Sequence, residues 1–307
     1  MSAVTGDDEL LAGGGPGASS SELPVVRRSR LRRFASNKAA VIAAIVLLVI
    51  VIAAVLAPWI TPKNPDTQDL LHRFASPGHD GLLGTDELGR DVFSRLIIGA
   101  RVSLVAAGEV TIIAIVIGVP LGMLAGFHGG MIDAALSRAA DAVMSVPFLL
   151  LALTVISVVG YGLAKSMAVV GVVLAPGFFR LTRGVTQEIR RETYIESSTA
   201  IGCSTWQTLV GHVLPNALAP LIVQTTVTMS HGVTIEASLS FLGLGAAPPT
   251  ASWGSMLQTA LQNYYVAPYL VYPPGLMITI TVLGLTLFGD GVGDALGTRR
   301  LSRRRDR

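Results

Sequence analysis

The side chains that could do chemistry are few, and they do not gather. Lys38, Lys63 and Lys165 are the only lysines and none follows a glycine-rich phosphate-binding pattern, so there is no P-loop. His72, His79, His128, His212 and His231 are scattered without metal-ligand spacing. Cys203 is the sole cysteine, which excludes an intrachain disulfide and leaves the redox compartment unread. No Ser-His-Asp, paired-carboxylate or Cys-His constellation falls in one neighbourhood. The chain reads as non-catalytic by itself, with no metal site and no cofactor of its own. What remains is a set of ionisable groups within apolar stretches: Glu109, His231 and Glu236. Such groups are functional candidates by default. Glu109 would cost about 2.5–3.5 kcal/mol at mid-bilayer, which its aliphatic neighbours can offset. It can face a cavity or lie near an interface. Glu236 can line a pathway or be a helix-end interfacial residue, and Phe241 beside it is a candidate for pathway or packing.

The longest polar connection is residues 194–216, between two strongly apolar stretches. It reads as a short helix, a break at Gly202, a second short helix, and Pro215 opening the next apolar segment. Glu188, Arg190, Arg191 and Glu192 precede it, so the connection is charged and mixed in sign. Two readings are open: amphipathic turns resting on a membrane surface, or a docking element for a soluble partner.

The elements that must hold these residues are set by composition. The chain is 51% apolar and 14% charged, with a mean hydropathy of +0.60, whereas soluble domains are about 25% charged. This is a membrane-protein balance. Six apolar spans follow, at about residues 39–57, 103–127, 140–159, 163–179, 215–237 and 269–288. The first is so rich in Val, Ile and Leu that insertion is favoured by about 5 kcal/mol. It is too long, and too far from the N-terminus, for a signal peptide. Residues 1–36 read as a disordered cytoplasmic tail and 37–57 as the first transmembrane helix. Residues 58–100 form an external segment, 101–296 a core of five helices with a polar loop at 180–215, and 297–307 a basic cytoplasmic tail.

Within the external segment, Thr85 is placed to cap an amphipathic surface helix with Asp86–Arg90 and Asp91–Arg95 pairs at i,i+4. Gly118, Gly122 and Gly126 repeat every four residues, which brings helix backbones close. Pro147 and Pro176 sit inside spans and need neighbours to satisfy the freed carbonyls. Arg138 and Asp141 read as a pair at the membrane edge. Trp253, Tyr264 and Tyr265 read as aromatic anchors in an outer interfacial region. Arginine-rich tails at both ends, and Arg180, Arg183, Arg190 and Arg191 in the polar loop, put both termini and that loop in the cytoplasm by the positive-inside rule. The polybasic run before the first span suits an anionic leaflet rather than nucleic acid. The fold class is an all-α membrane protein.

Glu196, Gly202 and the His212-Val-Leu214-Pro215 ending carry a further signal. Their spacing resembles the cytoplasmic signature loop of ABC importer permeases: Glu-Ala-Ala, three residues, Gly, nine residues, an apolar residue, one more, then Leu-Pro. Ser197 and Ser198 stand for the two alanines and His212 for the first apolar residue. Leu83-Gly-Thr-Asp86, Gly89-Arg-Asp-Val92, residues 236–245, Pro248-Pro249 and Ser252-Trp-Gly254 resemble the dipeptide, oligopeptide and nickel permeases more narrowly. The chain departs from that pattern at Gly293, where an arginine is usual, and lacks the Asp-Pro-Arg ending. The resemblance implies a type I importer architecture in the inner membrane. It implies a second homologous permease subunit, two cytoplasmic ATPase subunits that hold ATP and magnesium, and an external binding protein that delivers substrate. Peptide is then the commonest substrate class, with nickel or haem as alternatives. Tyr194, Glu196, Ser197, Ser198, Gly202, His212, Leu214, Pro215 and Asn216 would form the ATPase-coupling loop. The rival class is an ion-coupled secondary transporter, which would depend on Glu109 or Glu236 and on broken helices.

Overall fold

The computed structural model describes residues 34–78, 81–160, 162–193, 195 and 203–296. These are almost wholly helical, with no strand and one isolated antiparallel bridge, between Thr85 and Asp91. Tyr194, Glu196, Ser197, Ser198 and Gly202 of the polar run, and both arginine-rich tails, lie outside the described residues.

Helix α1 (Lys38–Val55) starts where the Asn37 side chain accepts a bond from the Ala40 N–H, satisfying a donor that the helix itself cannot. Helix α2 (Val92–His128) is the element the others pack around. Its 37 residues begin at Asp91, whose carboxylate caps the Ser94 N–H at 2.8 Å. The expected Thr85-capped surface helix is therefore absent. Gly84 and Gly89, at φ of +78° and +73°, turn residues 84–91 into a tight loop instead. In that loop Asp86 pairs with Arg90 at 2.7 Å, as the spacing suggested. Asp91 does not pair with Arg95, because capping takes its carboxylate; Arg95 turns to Asp86 and Asp66.

Gly129 alone, at φ +67°, separates α2 from α3 (Gly130–Ser145), a shorter connection than the sequence suggested. The expected third span is two helices, not one. Pro147 has no N–H to donate and forces Val146 into an extended conformation (ψ 136°), so α3 and α4 (Phe148–Val159) meet at 94°. Helix α5 (Leu163–Ile189) passes through Pro176 without a break. Methyl groups at Gly122 and Gly126 of α2 would sit 2.6 Å from the Phe179 carbonyl and 2.7 Å from that of Arg183 on α5. Gly118 meets the Ala175 carbonyl in the same way. The four-residue glycine repeat is thus the seam between α2 and α5.

Helix α6 (Leu214–Phe241), the short α7 (Trp253–Gln262) and α8 (Tyr272–Leu296) complete the bundle. Phe34 and Phe288 stack edge-on at 5.9 Å, and a methyl at Gly284 would lie 3.1 Å from the Leu47 side chain, so α8 runs antiparallel to α1. Ile50, Ala100, Ala107, Val233, Trp253 and Leu285 form the core where α1, α2, α6, α7 and α8 meet. Trp253 is fully buried there, not an interfacial anchor, whereas Tyr265 is 99% exposed.

Among the described residues, four helical stretches are long and apolar enough to cross a membrane: Lys38–Val55, Val92–His128, Leu163–Ile189 and Pro268–Leu296. The bent α3–α4 pair adds a fifth if counted as one span. The remaining stretch expected to cross, α6, is long enough at about 42 Å, but Gln224, His231, Glu236 and several hydroxyl residues make it more polar. One end of the bundle carries residues 203–213 and the start of α1. The other carries residues 58–91 and 243–271. These are termed the loop end and the insertion end.

Candidate functional site

At the loop end, the described part of the polar run is built on an apolar foot. Ile189, Ile195, Leu209, Val213 and Ala217 are buried together with Phe178, Val119 and Met123. Ser204 opens a helical turn (Thr205–Thr208) with a reciprocal cap: its hydroxyl accepts from the Gln207 N–H, and the Gln207 side chain accepts from the Ser204 N–H at 2.9 Å. This turn was expected to stop before Pro215. It runs on through a wider π-helical turn (Leu209–Val213) directly into α6. Pro215 cannot donate to the turn before it and its ring crowds the preceding carbonyls, which a wider turn relieves.

The segment is two-faced. Thr208, Leu209, Val213 and Ala217 face the bundle. Trp206 (72% exposed), Val210, His212, Pro215 and Asn216 face outward, and Leu214 is half-buried between them. Asn216 donates to the His212 carbonyl at 2.7 Å, fixing the start of α6. Alongside, Asp133 of α3 takes both guanidinium arms of Arg183 on α5 and the Gln187 amide. Asp141 pairs with Arg180 at 2.6 Å, not with Arg138 as the sequence suggested, because α5 lies against that side of α3. Arg180, Gln187, Glu188 and Arg191 border an open groove of about 670 Å³ along the loop-end part of α5.

At the insertion end lies Glu236, fully buried on α6. Its carboxyl group accepts the Ser103 hydroxyl from α2 and the Ser240 hydroxyl from its own helix, both at 2.7 Å. Each hydroxyl in turn accepts a backbone N–H, of Trp253 at 3.3 Å and of Ala246 at 3.2 Å. The Trp253 indole donates to the Leu96 carbonyl at 3.1 Å. Gly254 has no room for a side chain, since a methyl there would lie 2.7 Å from the Ala237 Cα. Glu236 is thus the centre of a clasp joining α2, α6 and α7. Phe241, 37% exposed at the end of α6, stands outside the clasp. Glu109, half-buried midway along α2, lies between the exposed Val105 and Ile112 and makes no hydrogen bond or ion pair among the described residues. The structure does not bring Glu109 and Glu236 together with the loop-end residues.

Sequence reasoning missed Ser103 and Ser240 as partners of Glu236, and Asp133 as the tie between α3 and α5. The glutamate clasp was signalled in part, since Ser240, Ser252, Trp253 and Gly254 fall in the stretches already singled out. Ser103 lies 133 positions from Glu236 and no local pattern could link them.

Comparison with known proteins bears on both ends. Residues 118–302 match the family described as the inner membrane component of binding-protein-dependent transport systems. The chain belongs to this family. Residues 27–77 also match the N-terminal transmembrane domain of oligopeptide transport permease C. A glutathione transport system permease of Pectobacterium atrosepticum is 40% identical over 228 residues, 74% of this chain and 75% of the relative. A di/tripeptide transport system permease of Pseudomonas aeruginosa is 40% identical over 249 residues, 79% of this chain and 82% of the relative. A probable D,D-dipeptide permease of Escherichia coli is 37% identical over 244 residues, 79% of this chain and 81% of the relative. Among solved structures, the inward-facing MetNI methionine ABC transporter superposes with a TM-score of 0.54 at 24% identity, covering 66% of this chain and 97% of that one. That likeness, together with the family match, gives the fold as the all-α type I permease architecture. The permease is a non-catalytic membrane subunit of a binding-protein-dependent transport system.

Proposed function

We propose that this permease forms half of the pathway of an ATP-driven importer of small peptides in the inner membrane. Its partners are a second homologous permease, two cytoplasmic ATPase subunits and an external binding protein. In this reading the loop end is cytoplasmic, with both termini there, and the insertion end meets the binding protein. The observation that carries it is the two-faced segment after Gly202. Its inward face is anchored in the core, while Trp206, Val210 and His212 are left uncovered on a surface continuous with a transmembrane helix. An exposed tryptophan on a rigid helical turn is the kind of anchor that seats in a partner's pocket. The relatives named for dipeptides, di/tripeptides and glutathione support peptide as the substrate class.

ATP and magnesium would be held by the ATPases, and the permease itself holds no cofactor. Closure of the ATPases would carry the paired coupling segments toward each other. The anchored face would pass that movement into α5 and α6. Work is transmitted only if the segment binds the two ATPase states unequally, since tight but equal binding shifts nothing. Glu196 and Gly202 complete the coupling loop in this reading, with Tyr194, Ser197 and Ser198.

Co-purification in detergent tests it. Wild-type permease should bring down ATPase subunits, and Glu196→Arg, Gly202→Asp and Trp206→Ala should lose them while still inserting in the membrane. Peptide uptake that survives ATP depletion but collapses with the proton gradient would overturn the reading in favour of an ion-coupled carrier.

A further inference from the structure

In its insertion-end half, helix α6 keeps one face open. Gly232, Val233, Ile235, Glu236 and Ala237 point into the bundle, and Gly232 lies against Ala107 of α2. Around the opposite side, the helical period places His231, Thr234, Ser238 and Phe241 in one line, with Asn216 on the same line at the loop end. His231 and Thr234 are exposed and Ser238 is partly exposed, while toward the loop end the same line passes through the half-buried Val227 and Val223 before it reaches Asn216. A lipid-facing stripe should be aliphatic, as on α1, where Ile42, Ile45, Val49 and Ile52 are exposed.

The two hydroxyls could live in lipid, because Thr234 and Ser238 donate back to the Ser230 and Thr234 carbonyls of their own helix. His231 could not do so cheaply. It makes no hydrogen bond or ion pair among the described residues. It sits about 25 Å along the helix from Leu214 and about 15 Å from Phe241, well within a hydrocarbon layer of about 30 Å. An imidazole at that depth needs water or a polar ligand.

We infer that this stripe of α6 lines the aqueous pathway, and that His231 contacts the carboxylate of a peptide in transit. The inference rests on the importer reading above and names a residue for it. The imidazole can donate a hydrogen bond to a carboxylate oxygen, while Thr234 and Ser238, one and two turns on, offer oxygens to a peptide N–H. The stripe is too sparsely charged to hold a substrate tightly, which suits a group passed along a conduit.

The test uses the assembled importer with Cys203→Ser, which removes the only native cysteine. Single replacements His231→Cys, Thr234→Cys and Ser238→Cys are challenged with a membrane-impermeant thiol reagent, beside Val233→Cys and Ile235→Cys on the buried face. The stripe positions should react, a di- or tripeptide should slow the reaction at position 231, and the buried positions should not react. Stripe cysteines that react only with a lipid-soluble reagent, or that only cross-link to the second permease, overturn the inference. In parallel, His231→Ala should raise KM for peptides about tenfold, near 1.4 kcal/mol, with kcat little changed. His231→Gln should restore most of the loss, and peptide amides should be indifferent to the change. Equal effects on acids and amides would overturn the assignment of His231. Failure of the wild type to import peptide would instead defeat the importer reading, while the labelling pattern would still report whether the stripe is wet.

Discussion

The two ends of the bundle are held together by different physics. At the insertion end the fastenings are polar and buried. Asp86, Arg90 and Arg95 are each less than 10% exposed, as is Asp91 at its cap, and Glu236 is fully enclosed with both hydroxyl partners. At the loop end the fastenings are an apolar foot and ion pairs open to solvent, such as Asp141–Arg180 at 61% and 51% side-chain exposure. Buried polar networks tolerate few alternative geometries, because any member pulled out of place leaves an unpaired group in low dielectric. Apolar contacts and solvent-screened pairs can slide at small cost. The insertion end is therefore built as a frame, and the loop end as a part that can be displaced against it.

Substitutions can break that contrast. The largest effect is expected for Asp86→Ala, which takes the shared buried carboxylate away from both Arg90 and Arg95. Loss of about 3–5 kcal/mol is expected, read as a collapse of folded protein in membranes or a lowered melting temperature in detergent. Glu236→Ala should follow, at about 1–3 kcal/mol for each hydroxyl orphaned. Glu236→Gln should recover part of it, because the amide oxygen still accepts one bond. If Glu236→Ala melts like wild type but abolishes uptake, the carboxylate belongs to the pathway and not to the frame. At the loop end, Asp141→Asn should move stability by no more than about 0.5 kcal/mol. An effect as large as that of Asp86→Ala would erase the distinction between the two ends.

The smallest expected effect is a matter of pH. Burial, and then the neighbouring Asp86 carboxylate, hold the Glu87 carboxyl above the usual carboxylate range of about 4.5. A group raised in the folded state favours folding while it is protonated. That contribution is present below pH 4.5 and is lost as pH rises through the folded value. Glu87→Gln keeps a neutral group there, so the variant's stability should fall less than that of the wild type across this window. One Glu87 oxygen is buried without a partner, which points the same way.

How much of this was legible in the sequence differs between the same two ends. The glycine seam of α2 and α5 was readable because a four-residue repeat in an apolar helix has one geometric meaning. The family was readable because Glu196, Gly202 and Pro215 hold fixed offsets. Pro147 was visible, but a proline inside an apolar run is compatible with a tolerated kink or with a full break. Only the packing of α3 against α5, through Asp133 and Asp141, decides for the break. The Thr85 expectation failed because capping signals are local, and Asp91 offered an equally good cap once Gly84 and Gly89 had turned the chain. Trp253 was misassigned because aromatic anchors and buried aromatics look alike until the carbonyl of Leu96 is seen to take the indole N–H. Long-range partners such as Ser103 and Glu236 leave no periodic trace.

The wide turn at Leu209–Val213 has a mechanical consequence. It makes the exposed turn that carries Trp206 and the 28-residue helix ending at Phe241 one uninterrupted rod, with a change of pitch but no hinge between them. A hinge would let a docked partner swing its handle while the shaft stayed still. A rod without one delivers each push or twist at its handle over about 42 Å, past the His231 stripe, to the clasp around Glu236. A partner seated on that turn would therefore drive the permease from one end without reaching the membrane's interior.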